Sequence, residues 1–78
     1  MENSTVFTFV VTQVFEEAGL EDMCDYKLKG EDLTLYSERS CLIEALNRVN
    51  PNSDYELMTL FQLEAECLRN KIYVNFIY

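Results

Sequence analysis

Lys29-Gly30-Glu31-Asp32, set between Tyr26-Lys27-Leu28 and Leu33-Thr34-Leu35-Tyr36, commits the chain to a β-hairpin. Glycine accepts the positive φ that a two-residue turn demands, and as the first central residue Gly30 suits a type II′ turn. That register sets Leu28 opposite Leu33 and Tyr26 opposite Leu35 on one face, with Lys27 opposite Thr34 on the other. One face of the hairpin is therefore core. An isolated hairpin is marginal in water, so other segments must cover it.

Two segments with helical periodicity can provide that cover. Ser37 is placed to cap a helix from about Glu38 to Val49, in which Leu42, Ala45, Leu46 and Val49 recur at i, i+3, i+4 and i+7 before Asn50-Pro51 ends it. Ser53-Asp54-Tyr55-Glu56 has the form of a capping box, which predicts a last helix from roughly Asp54 to Arg69. Leu57, Met58, Phe61, Ala65 and Leu68 fall on one face of that helix, and Leu60, Leu63 and Cys67 form a second stripe. The apolar arc is about twice the ≳100° of a one-sided surface helix. A small sheet cannot cover both stripes, so Leu60, Leu63 and Cys67 are expected at the interface of a two-fold homodimer. The competing arrangement packs the first helix over Leu60 and Leu63 within one chain.

Residues 4–19 admit two readings. Val6, Val10, Val14, Phe7, Val11 and Ala18 make one helical face, and Gly19-Leu20 resembles a Schellman stop, which favours a helix. Val6-Thr8-Val10-Thr12-Val14 also alternates at strand spacing in a segment rich in β-branched and aromatic residues. Ile72 to Tyr78 reads as a strand. The expected fold is α+β: one compact domain, 1–78, with a small antiparallel sheet (hairpin 26–36 plus C-terminal strand 72–78) packed against two or three helices. Val74 and Phe76 should then share a face with Leu28 and Leu33.

Composition narrows the chemistry. With 78 residues the chain buries only about 60% of its unfolded surface, enough for one core and no second domain. There is no histidine, the side chain that most readily titrates near neutral pH. The three cysteines, Cys24, Cys41 and Cys67, form no CxxC pair, and none has an activating neighbour, Cys24 being flanked by Asp22 and Asp25. Gly19 and Gly30 are the only glycines, so no phosphate-cradling loop can be written. The acidic run after Val14 lacks the ligand spacing of a calcium loop. No catalytic residue, metal site or cofactor is expected. The apolar run Val6 to Val11 is too short to span a bilayer and lacks a signal peptide's basic flank, and unpaired thiols suit a reducing cytoplasm.

Charge points toward a partner. The net charge is −8, and the first 26 residues carry Glu2, Glu16, Glu17, Glu21, Asp22 and Asp25 but neither lysine nor arginine. A lopsided negative field speeds encounter with a basic protein and disfavours direct contact with nucleic acid. Glu16, Glu17, Glu21, Asp22 and Asp25, grouped at the end of the first helix and the turn after it, are the expected partner-binding surface. The functional expectation is a non-enzymatic inhibitor or modulator of a nucleic-acid-handling protein, in the manner of small DNA-mimicking anti-defence proteins of phages. That analogy rests on size, acidity and lack of catalytic residues, and on no matched motif. The alternative is a structural or adaptor protein that self-associates through Leu60, Leu63 and Cys67.

Overall fold

The computed structural model describes residues 4–15 and 23–77. They form strand β1 (Thr5–Phe15), β2 (Met23–Leu28), β3 (Thr34–Leu35), helix α1 (Glu38–Val49), a 3-10 turn (Ser53–Leu57), helix α2 (Leu60–Arg69) and β4 (Ile72–Ile77). The α+β class holds, with the helices covering one face of a four-stranded sheet ordered β3-β2-β1-β4. The sheet is mixed, not antiparallel throughout. β1 pairs antiparallel with β2, and β2 with β3, whereas β4 lies parallel to β1. Parallel neighbours need a long crossover, which here is the whole stretch from β2 to α2.

The helix favoured for residues 5–18 is a strand over Thr5–Phe15. Almost every residue of TVFTFVVTQVF is β-branched or aromatic, and such side chains pack well on a pleated sheet but lose rotamer freedom in a helix. The apparent helical stripe arose because both faces of the strand carry apolar residues. Phe9 is fully buried and Phe7 and Val11 pack beside it, while Val6 on the other face is exposed. Between Val11 and Gln13 the register slips by one residue, a β-bulge opposite Tyr26 and Asp25.

The hairpin keeps its expected register, with Tyr26 opposite Leu35 and Lys27 opposite Thr34. Its turn differs. Glu31 N–H donates to the Leu28 carbonyl at 2.9 Å, so Lys29 and Gly30 are the central pair. Gly30, second of the two, carries the positive φ of 86°, as in a type II turn.

Helix α1 spans Glu38–Val49 as expected, and the Ser37 hydroxyl accepts the Ser40 amide at 3.1 Å. The last helix does not begin at the Ser53 box. Asn52 accepts the Asp54 amide at 2.9 Å and starts a 3-10 turn, which sends Tyr55 into the core with its hydroxyl donating to the Asn50 carbonyl at 2.6 Å. Arg39, reaching across from α1, donates to the carbonyls of Glu56 and Met58, satisfying groups that a continuous helix would have bonded internally. The chain is extended at Met58, and the capping box that is used is Thr59…Gln62: Gln62 N–H donates to Thr59 Oγ1 at 3.2 Å and Thr59 N–H to Gln62 Oε1 at 2.8 Å.

This break sets which face of α2 turns inward. Leu63 and Cys67 are buried with Leu42, Ile43, Ala45, Leu46, Tyr55 and Ile72, and Leu60 packs partly against them. A second cluster holds Phe9, Tyr26, Leu28 and Cys41, and Phe7 and Val74 contact both clusters. Phe76 stacks on Phe9 at 5.9 Å between ring centroids and meets Tyr26 edge-on at 5.4 Å. Val74 and Phe76 thus reach the face that carries Leu28, but by way of β1. No helix among the described residues is long and apolar enough to cross a membrane.

Candidate protein-binding groove

The residues expected to form sites fare unequally. Glu16, Glu17, Glu21 and Asp22 lie outside the described residues. Asp25 sits half-buried on β2, opposite Gln13 at the bulge. Thr5–Phe15, expected to lead into the acidic patch as a helix, is strand β1. Leu63 and Cys67, at 0% and 4% exposure, are core residues of the single chain, and Leu60 packs partly on the same core, so of the stripe expected at a dimer interface only Leu60 keeps part of its surface exposed. The stripe left outside is the other one, Leu57, Phe61 and Leu68, at 84%, 81% and 67% exposure.

The two described thiols are poor nucleophiles. Burial, then Glu38 and Glu44, pushes the Cys41 thiol up to about 12, and burial, then Glu64 and Glu66, raises that of Cys67. Among the described residues no group of three or more acidic or cysteine side chains is arranged to hold a metal ion.

A groove of about 340 Å³ runs along the outer side of β4. Leu42, Cys67, Leu68, Ile72, Val74 and Phe76 give it a largely apolar lining, to which Tyr73, Asn75 and the carboxylates Glu38 and Glu64 also contribute. Local chemistry builds each wall. Ser37 starts α1 so that Glu38 stands in its first turn, where a carboxylate suits the helix dipole. Asn70 and Lys71, the latter in a left-handed conformation at φ 57°, reverse the chain from α2 into β4 within two residues, which holds α2 close beside that strand. Val74 and Phe76 face the core yet are only half-buried, because nothing described lies beyond β4 on that side.

Several basic side chains are engaged away from Glu38 and Glu64. Arg48 is clamped by Glu31 at 2.7 and 2.8 Å and by Glu44 at 2.8 Å, Arg69 pairs with Glu66 at 2.7 Å, and Lys27 with Asp32 at 3.4 Å. Arg39 is spent on backbone carbonyls. Among the described residues no cation pairs with Glu38, Asp54, Glu56 or Glu64. Glu38 and Glu64 were not singled out from sequence, since their significance depends on β4 being an edge strand, which only the pairing reveals. The alternation of Ile72, Val74 and Phe76 was the one signal available. No protein-family model, curated protein or solved structure matches the chain.

Proposed function

We propose that the protein is a non-enzymatic binding module that engages, and thereby inhibits or modulates, a protein with a basic surface. The observation that carries this is the groove beside β4, where a largely apolar lining includes carboxylates that no described cation neutralises. Apolar burial supplies affinity there, and the surplus negative charge supplies steering and selects against acidic partners. Glu16, Glu17, Glu21, Asp22 and Asp25 belong to the acidic excess that gives the chain its net charge of −8. Proteins that handle nucleic acids present the basic surfaces such a field would meet, which suits the DNA-mimic role, and the protonated, buried thiols suit a reducing cytoplasm.

The test is titration of an arginine-bearing peptide and its glutamate counterpart into wild type and a Glu38→Gln/Glu64→Gln variant at two salt concentrations. Binding of the basic peptide alone, weakened by salt and by the double substitution, supports the proposal. Equal binding of both peptides, or salt-independent affinity, refutes it.

A second reading, self-association, now rests on Leu57, Phe61 and Leu68, which the fold leaves exposed on the last helix and the turn before it. Sedimentation of wild type and Phe61→Ser at micromolar concentration separates the two: a dimer lost on substitution supports it, and a monomer in both removes it.

A further inference from the structure

We propose that the groove holds its partner by strand addition: an extended basic segment pairs with the edge of β4 that no described strand covers, adding a strand to the sheet. This rests on the acidic-module reading above and specifies how the partner is held.

Backbone geometry comes first. Thr5 N–H donates to the Lys71 carbonyl at 3.0 Å, while the Thr8 carbonyl accepts Lys29 N–H at 2.8 Å. Odd-numbered residues of β1 before the bulge therefore turn their backbone groups toward β4, and even-numbered ones toward β2. In a parallel ladder the bonding residues of the partner strand also alternate, so Tyr73, Asn75 and Ile77 bond inward to β1. Ile72, Val74 and Phe76 then point N–H and C=O groups away from the sheet, and among the described residues nothing pairs with them.

Natural sheets blunt such edges with short strands, prolines, charges or bulges. The opposite edge obeys this, since β3 is two residues long. β4 does not: IYVNFI contains neither proline nor charge, and its pairing with β1 runs in unbroken register over six residues. Backbone bonds to this edge give affinity without sequence preference, and pockets for alternate side chains give selectivity. The groove lies on the side toward which Ile72, Val74 and Phe76 project, so every second residue of an added strand faces its apolar lining.

Charge selects the occupant. Glu38 and Glu64 both line the groove, which favours arginine or lysine beside aliphatic residues in the segment that faces it. A second copy pairing through its own β4 would bring Glu38 and Glu64 toward their equals, an unfavourable like-charge arrangement.

The probe is the peptide Arg-Thr-Val-Thr-Val-Thr-Arg, titrated calorimetrically into the wild-type protein. Two further versions carry N-methyl groups, one on both valine nitrogens and the other on the three threonine nitrogens. Since alternate residues of a strand bond to one neighbour, one version loses its bonds to β4 and the other keeps them. The expected result is binding of the parent, at least about tenfold weaker binding of one methylated version, and near-parental binding of the other. Equal effects of the two methylations overturn strand addition while leaving the acidic-module reading standing. No preference for the parent over a version with glutamates in place of the arginines removes that reading as well. Failure of the parent to bind a protein that sediments as a β4-linked dimer assigns the edge to a second copy and overturns the proposal.

Discussion

Replacing Leu63 and Phe61 by alanine, one at a time, distinguishes the two faces of α2. Leu63 is completely buried among Leu42, Leu46, Tyr55 and Ile72, whereas Phe61, two residues earlier, is 81% exposed. Truncating a buried leucine removes its transfer energy and leaves a cavity, together about 2–5 kcal/mol. At about 0.05–0.15 kcal/mol per residue, a chain of 78 residues has a total stability of about 4–12 kcal/mol, so this loss is a large part of it. With a melting shift of about 4–8 °C per kcal/mol at this size, Leu63→Ala should lower Tm by at least about 8 °C. Phe61→Ala should stay within about 0.5 kcal/mol of wild type. Urea and thermal denaturation followed by circular dichroism measure both, and an unchanged urea m-value keeps the comparison between the same two states. Equal destabilisation by the two substitutions, or a larger effect of Phe61→Ala, would refute the assigned orientation of α2 and the break at Met58 on which it depends.

Other consequences follow from single contacts. Thr59→Ala should cost about 0.5–2 kcal/mol by removing the N-cap of α2, and Ser53→Ala less than about 0.5 kcal/mol, since Asn52 and not Ser53 receives the Asp54 amide; chemical denaturation compares them. Tyr55→Phe should cost about 1 kcal/mol by leaving the Asn50 carbonyl without its donor, measured the same way. Cys41 and Cys67 should resist alkylation in the native protein at pH 8 and react once it is unfolded, and because their folded-state pKa values lie above the usual 9.0, the stability they contribute should fall as pH rises above about 9, for Cys41 over the range up to about 12; mass spectrometry and alkaline melting curves check the two halves. Glu31 is shifted the opposite way: the Arg48 hydrogen bond lowers its pKa below 4.5, so its contribution is present above pH 4.5 and is lost as acid protonates it, and Glu31→Gln should flatten that part of the acid limb.

The sequence carried much of the local structure and little of the pairing. The register of Tyr26 against Leu35, the start of α1 at Ser37 and the strand from Ile72 were legible because each depends on neighbours in the chain: an alternation closed by a glycine turn, a cap followed by a 3.6 period, an apolar run behind Asn70-Lys71. β1 was misjudged because apolar residues on both faces satisfy a helical period as readily as a strand's. The start of α2 was misplaced because Ser53…Glu56 and Thr59…Gln62 both fit a capping pattern. What chose between them was tertiary: Arg39 reaching the Glu56 and Met58 carbonyls, and Tyr55 packing beneath α1 and α2. The candidate site was hidden for the same reason. Glu38 and Glu64 are ordinary helix-surface carboxylates until β4 is seen to lie parallel to β1 with no described strand on its far side.

Amide chemical shifts of the isotope-labelled protein, followed during titration with Arg-Thr-Val-Thr-Val-Thr-Arg, test the central claim most directly. A partner seated along β4 should shift the Ile72, Val74 and Phe76 amides downfield and slow their hydrogen exchange, with smaller changes at Glu38 and Glu64 and none on the outward face of Leu57 and Phe61. Saturable binding that leaves those three amides unchanged and exchanging as before would contradict it.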